Sequence, residues 1–98
     1  MSDPPVVNDE TVGRFELATD EGRAELVYRV DDGRLVLLHT EVPEELEGRG
    51  IGGILVAAAV DFAAAGALTV VAVCPFARGW LQRHPEAAGR VSVDWSAA

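Results

Sequence analysis

The chain has 98 residues, of which 49% are apolar, and a formal net charge of −8 at pH 7. That length fits one domain with one modest core. No apolar run reaches the ~18 residues needed to cross a bilayer. The negative net charge disfavours a nucleic-acid partner. The single cysteine, Cys74, rules out an internal disulfide, and the acidic, proline-bearing start does not resemble a signal peptide, so we expect a cytoplasmic protein.

The first half of the chain predicts an antiparallel sheet. We expect residues 1–12 to be a flexible lead-in and residues 13–95 to form the single domain. Three strand-like runs follow the lead-in, at 13–18, 23–30 and 34–42. Turn signals separate them, namely Thr19-Asp20-Glu21-Gly22 and Asp31-Asp32-Gly33. These runs are typical of a β-meander.

The second half predicts alternating helices and strands. An alanine-rich helix begins at Gly50 and runs to about Ala65, and it is apolar on nearly every side. A continuous apolar run then favours a strand covered on both faces and parallel to the third strand. The further elements are a strand at 68–73, a short helix at 76–83 and an edge strand at 91–95. The order predicts an α/β (α+β) fold with a mixed sheet.

The segment Glu47 to Gly53 has the composition of a phosphate-binding loop. Glycines at 48, 50 and 52 would let an anionic group approach the main chain closely. The first turn of the following helix offers unpaired N–H groups and the positive end of the helix dipole. This combination indicates a site for a phosphate or pyrophosphate.

The same glycines also match a dinucleotide-binding fingerprint, Gly48-x-Gly50-x-x-Gly53. That interpretation requires the loop to follow the first strand directly and an acidic residue at the end of the next strand. Here Pro43 to Glu47 intervenes, and the next strand ends in Cys74-Pro75. The chain is also too short for a doubly wound sheet, and it has no Walker A lysine, zinc-ligand spacing or Ser-His-Asp signature.

The segment Val42 to Gly52 resembles the acyl-CoA-binding motif of the GNAT N-acetyltransferase superfamily. The pieces His39 to Pro43, Cys74-Pro75-Phe76, Trp80-Leu81 and His84-Pro85-Glu86 look like the short, single-domain members of that superfamily. The resemblance implies a GNAT-like mixed sheet without the N-terminal lid helices of larger members. It also implies an N-acetyltransferase that uses acetyl-CoA as co-substrate and needs no metal.

The resemblance further implies which residues would contact coenzyme A. Main-chain groups of the glycine loop would hold the pyrophosphate, and the strand end before the loop would pair with the pantetheine arm. The acetyl group would lie near Glu41, Val42 and Cys74. The full set of coenzyme-binding residues is Thr40, Val42, Glu47, Gly48, Arg49, Gly50, Ile51, Gly52, Gly53 and Cys74.

Three side chains are candidates for the chemistry of transfer. Glu41 is a candidate general base, and His39 is an alternative on the same strand face. Cys74 precedes a helix, a position that favours the thiolate. As the thiol it could protonate the leaving thiolate of coenzyme A, and as the thiolate it could instead accept the acyl group transiently. The competing interpretations are a solvated surface acid, a core histidine and a small buried residue.

Charge is distributed unevenly and bears on the acceptor. Residues 1–47 hold thirteen acids and four arginines, whereas residues 48–98 hold three acids and four arginines. An acidic half favours a cationic amine or a peptide amine as substrate. Glu47 replaces the usual Gln or Arg, and Leu81 stands where larger members often carry a Tyr acid. These departures keep open an acyl-CoA-binding or regulatory module with little or no turnover. The apolar helix and exposed sheet edges keep open a second alternative, a protein–protein adaptor.

Overall fold

The computed structural model describes residues 6–96, which form a sheet covered by helices on one face. The strands are β1 (Val7–Asp9), β2 (Arg14–Thr19), β3 (Gly22–Asp31), β4 (Arg34–Glu41), β5 (Thr69–Ala72) and β6 (Val93–Asp94). The helices are α1 (Ile51–Gly66), α2 (Pro75–Arg83) and α3 (Pro85–Ala88), and a 3-10 turn covers Glu44–Leu46.

The sheet has the strand order β1-β2-β3-β4-β5-β6, with β1 to β4 antiparallel. Asp32 and Gly33 join β3 to β4, and both have positive φ angles, of 53° and 75°. A two-residue hairpin of this kind matches the right-handed twist of the strands it connects. The meander expected from the sequence is therefore confirmed.

The second half of the sheet is parallel. Helix α1 carries the chain from β4 over the sheet to β5, where Leu35 pairs with Val70 and Leu37 with Ala72. Strand β6 also runs parallel to β5, because α2 and α3 return the chain to the same end. The mixed α/β sheet is thus the predicted one.

Helix α1 packs on the sheet and also against α2, which lies beside it on the sheet, and these contacts explain why it is apolar on nearly every side. Seven of its sixteen residues are buried, and Leu55 and Val60 are completely so. Phe62 packs on Phe15 and Tyr28, with ring centroids 5.9 Å from each. Burial of each large apolar side chain contributes about 1.5–3 kcal/mol, which makes this layer the main stabilising contact.

The expected lead-in at residues 1–12 differs from the structure in part. Val7–Asp9 pairs with β2 as an edge strand, and the Tyr28 hydroxyl donates to the Asn8 side chain. The turn after this strand is closed by the Gly13 N–H, which donates to the Asp9 carbonyl at 2.9 Å. A three-residue strand has too few positions to show an alternating pattern, and residues 1–5 lie outside the described part. The structure also adds α3, and shortens the last strand to two residues.

Candidate active site

Strands β4 and β5 part after Leu37. The Leu37 carbonyl accepts hydrogen bonds from the N–H groups of Val73 and Cys74, at 3.1 and 2.9 Å. Beyond it, residues 39–41 of β4 pair only with β3, and the register shifts between Val27 and Tyr28. Such bulges bend a strand and end regular pairing. The result is a cleft between the carboxyl ends of two neighbouring strands.

A cavity of about 380 Å³ occupies this end of the sheet. Its walls come from the end of β4, the 3-10 turn, the glycine loop and the first turn of α2. The lining residues are Thr40, Val42, Leu46, Glu47, Gly48, Gly50, Ile51, Gly52, Gly53 and Phe76. Every residue expected to contact coenzyme A is among them except Arg49 and Cys74. The Sγ of Cys74 lies 3.2 Å from the Oγ1 of Thr40, so Cys74 adjoins the cavity.

The glycine loop leaves the start of α1 without acceptors for its N–H groups. Ile54 donates to the carbonyl of Gly50 at 3.1 Å, whereas Ile51, Gly52 and Gly53 have no acceptor among residues 6–96. No side chain caps the helix, and its first turn carries no acidic residue. Unpaired N–H groups at the positive end of a helix dipole form an anion site. The arrangement suits an anionic group such as a phosphate or pyrophosphate.

Gly48 and Gly50 are required by the backbone of this loop. Their φ angles are +83° and +74°, and a Cβ placed on either would meet nothing within 4 Å. Any other L-residue would therefore be strained by its backbone conformation and not by lack of space. These two glycines direct the loop into the start of α1.

Gly52 and Gly53 are small for a different reason. A Cβ on Gly52 would lie 2.6 Å from Cζ of Phe76, and one on Gly53 would lie 2.5 Å from Nε1 of Trp80. Both positions make room for aromatic rings of α2. For Gly52, we had expected room for an anionic group. The close helix contact positions the cavity wall.

The three candidate catalytic side chains are divided between the two faces of the sheet. Thr40 pairs with Leu26, whose side chain is in the core, and so faces the helices together with Cys74. Glu41 and His39 pair with Glu25 and Val27 on the opposite face. Both are exposed, whereas Cys74 is only 3% exposed. The structure thus brings Thr40 and Cys74 together and directs Glu41 and His39 to the uncovered side.

Carboxylates form a row on that uncovered face. Glu16 lies directly opposite Glu25, and Glu25 lies directly opposite Glu41. Arg14 forms an ion pair with Glu16 and has its Nη1 3.9 Å from Glu25. Glu41 has no ion pair with any residue in the described part of the chain. Neighbouring like charges on a sheet repel one another, so this face attracts cations.

Arg49 contacts an acid outside the cavity lining. Its Nη1 lies 2.6 Å from Oε1 of Glu21 in the turn between β2 and β3. This hydrogen bond and charge hold the pKa of Glu21 below its ordinary value and raise the pKa of Arg49. Both side chains are about half exposed, at 51% and 49%, so the pair contributes little to stability. Arg49 is therefore paired with Glu21 and not with the neighbouring acid Glu47.

Two lining residues were not predicted from the sequence, Leu46 and Phe76. Leu46 is the last residue of the 3-10 turn and is fully buried, in a segment without helical or strand periodicity. Phe76 lies in the first turn of α2, and the available signal in the sequence was its position two residues after the candidate residue Cys74. Leu81, at the position of the Tyr acid in larger members, is 1% exposed and belongs to the core.

Two further properties concern membranes and metals. No helix within residues 6–96 combines the length and apolar character needed to cross a bilayer. Among the same residues, no group of three His, Cys, Asp or Glu side chains is placed to hold a metal ion.

Comparisons with known proteins agree with this geometry. The family of GCN5-related N-acetyltransferases matches residues 14–90. The solution structure of a GCN5-like candidate N-acetyltransferase from Staphylococcus aureus is 30% identical and superposes with a TM-score of 0.70, covering 97% of this chain and 95% of the other. A search of curated protein sequences finds no match. The parted strands, the open start of α1 and the match over most of the chain together show that this protein belongs to the GCN5-related N-acetyltransferases, a family of acyltransferases.

Proposed function

We propose that the protein is an acetyl-CoA-dependent N-acetyltransferase that acts on a cationic amine or an exposed peptide amine. One observation carries the proposal: unpaired N–H groups at the start of α1 open into a cavity where β4 and β5 part. The cavity thereby joins an anion site to a strand end with free main-chain groups. A molecule with a pyrophosphate at one end and an amide-containing arm suits both parts.

The residues of the cavity suggest how the coenzyme would be held. The N–H groups of Ile51, Gly52 and Gly53 would bind pyrophosphate oxygens. Thr40 and Val42 lie at the end of β4, whose edge towards β5 has no strand partner beyond Leu37. A pantetheine amide could pair with that edge as an added strand does. Acetyl-CoA, once bound, supplies the acyl group as a thioester.

Acyl transfer then requires one proton to be removed and another to be supplied. Glu41 is exposed at the strand end and would accept the proton of the attacking amine. Cys74 contacts Thr40 at the base of the cleft and would donate a proton to the sulfur that leaves. His39, two residues before Glu41 on the same face, is the alternative base.

The acceptor would approach from the uncovered face of the sheet. Glu16, Glu25 and Glu41 form a row there, and no helix within residues 6–96 covers them. An ammonium or guanidinium group next to the reacting amine would be attracted to that row. This supports a cationic acceptor. The single buried thiol also favours a reducing, cytoplasmic location.

Calorimetric titration with acetyl-CoA and with coenzyme A tests the binding part of the proposal. Absence of binding at millimolar ligand would refute it. Turnover is then assayed with a panel of amines. Glu41→Gln should lower kcat by about 100-fold or more, since a positioned base contributes that much. Glu10→Gln, which replaces an exposed acid in the β1–β2 turn, is the matched control and should leave kcat unchanged.

A second function is favoured by the separation of the candidate side chains. Cys74 and Thr40 face the helices, whereas Glu41 and His39 face away from them. A protein that binds acyl-CoA with little or no turnover requires no base near the thioester. Coenzyme binding without acetyl transfer to any amine, and with Cys74→Ala leaving affinity unchanged, would favour this function over catalysis.

The role of Cys74 can be tested separately. If Cys74 forms an acyl-enzyme, protein mixed with acetyl-CoA alone should gain the mass of one acetyl group. Cys74→Ser has no thiol and should not form this thioester. An unchanged mass would leave direct transfer between the two bound substrates as the mechanism.

A further inference from the structure

The thiol of Cys74 and the hydroxyl of Thr40 form a side-chain pair across the point where β4 and β5 part. Oγ1 of Thr40 lies 3.2 Å from Sγ of Cys74. Within residues 6–96, neither side chain has another hydrogen-bond partner. Cys74 is 3% exposed and Thr40 lines the cavity, so the pair lies between the core and the space in which the thioester would be bound.

The main chain fixes the positions of both members of the pair. The N–H of Cys74 donates to the Leu37 carbonyl at 2.9 Å, and the Cys74 carbonyl accepts from the N–H of Arg78 at 3.0 Å. Thr40 is held in β4 opposite Leu26 of β3. Both Cα positions are therefore set by regular structure, and only the two χ1 rotations decide whether Oγ1 and Sγ meet.

The Cys74 side chain is directed towards Thr40 and not towards its own helix. Cys74 is the N-cap of α2, where a side chain ordinarily accepts a hydrogen bond from an N–H of the first turn. No such bond is present, and the next residue, Pro75, has no N–H. Among the side chains that line the cavity, Thr40 has the only hydroxyl. Thr40 is thus the side chain placed to act on the sulfur.

The Thr40 hydroxyl stabilises the sulfur most when the sulfur is charged. A thiol donates and accepts weakly, so either group can be the donor while Cys74 is protonated. A thiolate only accepts, so once Cys74 has given up its proton the Thr40 hydroxyl must donate to Sγ. A hydrogen bond to an ionised group is roughly twice as strong as one between neutral groups. The bond therefore strengthens as the proton leaves, which is the condition for accelerating a step.

We propose that Thr40 is a positioning residue that acts through Cys74 during acyl transfer. This inference rests on the proposed function, in which Cys74 donates a proton to the sulfur that leaves. In that step the S–H bond of Cys74 breaks, and the proton passes to the coenzyme sulfur, which has kept the electron pair of the broken C–S bond. The negative charge left on Sγ is stabilised by the Thr40 hydroxyl, which keeps its own proton. Water restores the proton of Cys74 when the products leave.

Steady-state kinetics with an accepted amine test the role of Thr40 in transfer. Thr40→Val keeps the shape of the side chain and removes the hydroxyl. The value of kcat should fall roughly 10- to 100-fold, the range for a hydrogen bond to a charged group, with KM for acetyl-CoA unchanged. Thr40→Ser restores the hydroxyl and should recover most of kcat. Thr69→Val makes the same change in β5, outside the cavity lining, and should leave kcat unchanged.

A double-mutant cycle with Cys74→Ala separates a role through Cys74 from a direct or structural role. If Thr40 acts through the sulfur, adding Thr40→Val to Cys74→Ala should change kcat by less than about two-fold. An equal fall in kcat with Cys74 present and with Cys74 replaced would overturn the role of Thr40 and leave the proposed function standing.

Alkylation of Cys74 in the free protein gives a readout that needs no turnover. Cys74 is the single cysteine, so the mass gained from iodoacetamide reports on this thiol alone. At one fixed pH, Thr40→Val should react roughly three-fold or more slowly than the wild type, because no hydroxyl stabilises the thiolate, and Thr40→Ser should react at close to the wild-type rate. Equal rates in the wild type and Thr40→Val would overturn the role of Thr40. Slower alkylation of Thr40→Val, without acetyl transfer to any amine by the wild type, would refute the proposed function and with it the role of Thr40 in transfer, while the contact would stand.

Discussion

Gly50→Ala is the most informative single change in this protein. Gly50 precedes α1 in the left-handed region, with a φ of 74° and ψ of 14°. A Cβ there would meet no atom within 4 Å, so the substitution changes backbone energy without creating a clash. The effect should therefore be a measure of the loop conformation alone.

The magnitude follows from the cost of placing an L-residue in this region. That cost is about 1–2 kcal/mol in the free energy of unfolding. For a domain of this length each kcal/mol lowers Tm by roughly 4–8 °C, so we expect a fall of roughly 4–16 °C. Asn tolerates the left-handed region better than Ala, so Gly50→Asn should lose less than Gly50→Ala.

Urea and thermal denaturation measure the effect, and Gly66→Ala is the matched control. Gly66 is the last residue of α1, and a Cβ there would make an ordinary 3.5 Å contact with Leu68. Its replacement should be neutral or stabilising by up to ~1 kcal/mol, because Ala favours helices over Gly. If Gly50→Ala proved as stable as the wild type, or if Gly66→Ala lost as much, the conformational explanation would be refuted.

Three further outcomes are expected. Gly53→Ala should push the Trp80 ring away from α1, which should lower the free energy of unfolding by up to about 2 kcal/mol and weaken the affinity for coenzyme A. Near-ultraviolet circular dichroism should report the displaced ring, and an unaltered spectrum would contradict the contact. Leu17→Ala, at a completely buried position, should cost about 2–5 kcal/mol in urea denaturation while exposed Ala18→Ser costs almost nothing. Burial raises the pKa of Tyr28, the only tyrosine, so its phenolate absorbance should appear at a pH above the ordinary tyrosine pKa of about 10. The free energy of unfolding should fall as the pH rises from that ordinary value through the pKa of the folded state. Titration of Tyr28 at the ordinary pKa would contradict this.

Much of this fold could be predicted from the sequence, because its long elements repeat a clear pattern. The alternation in β3 and the apolar length of α1 each fix an element over ten or more residues. Strand β1 and helix α3 could not be found in this way, since three or four residues show no period. Their formation depends on partners that the chain supplies from elsewhere, such as Tyr28 for Asn8.

The site was predictable to a different degree. The glycine loop is a local motif, and the sequence placed it correctly between β4 and α1. The face on which each side chain lies was harder to foresee, because the register shift between Val27 and Tyr28 changes how β4 pairs at its end. The approach of Phe76 and Trp80 to the loop depends on the packing of α2 on α1, which no local pattern encodes.

The contacts of Gly52 and Gly53 with α2 have a consequence for how such proteins can diverge. Each glycine is matched to one ring, Phe76 or Trp80, across a gap that admits no further carbon atom. A relative with Ala or Ser at position 53 would need a smaller side chain at position 80. A smaller side chain at position 80 with Gly kept at position 53 would leave a void. We therefore expect the identities at 52 and 76, and at 53 and 80, to change as pairs among homologues.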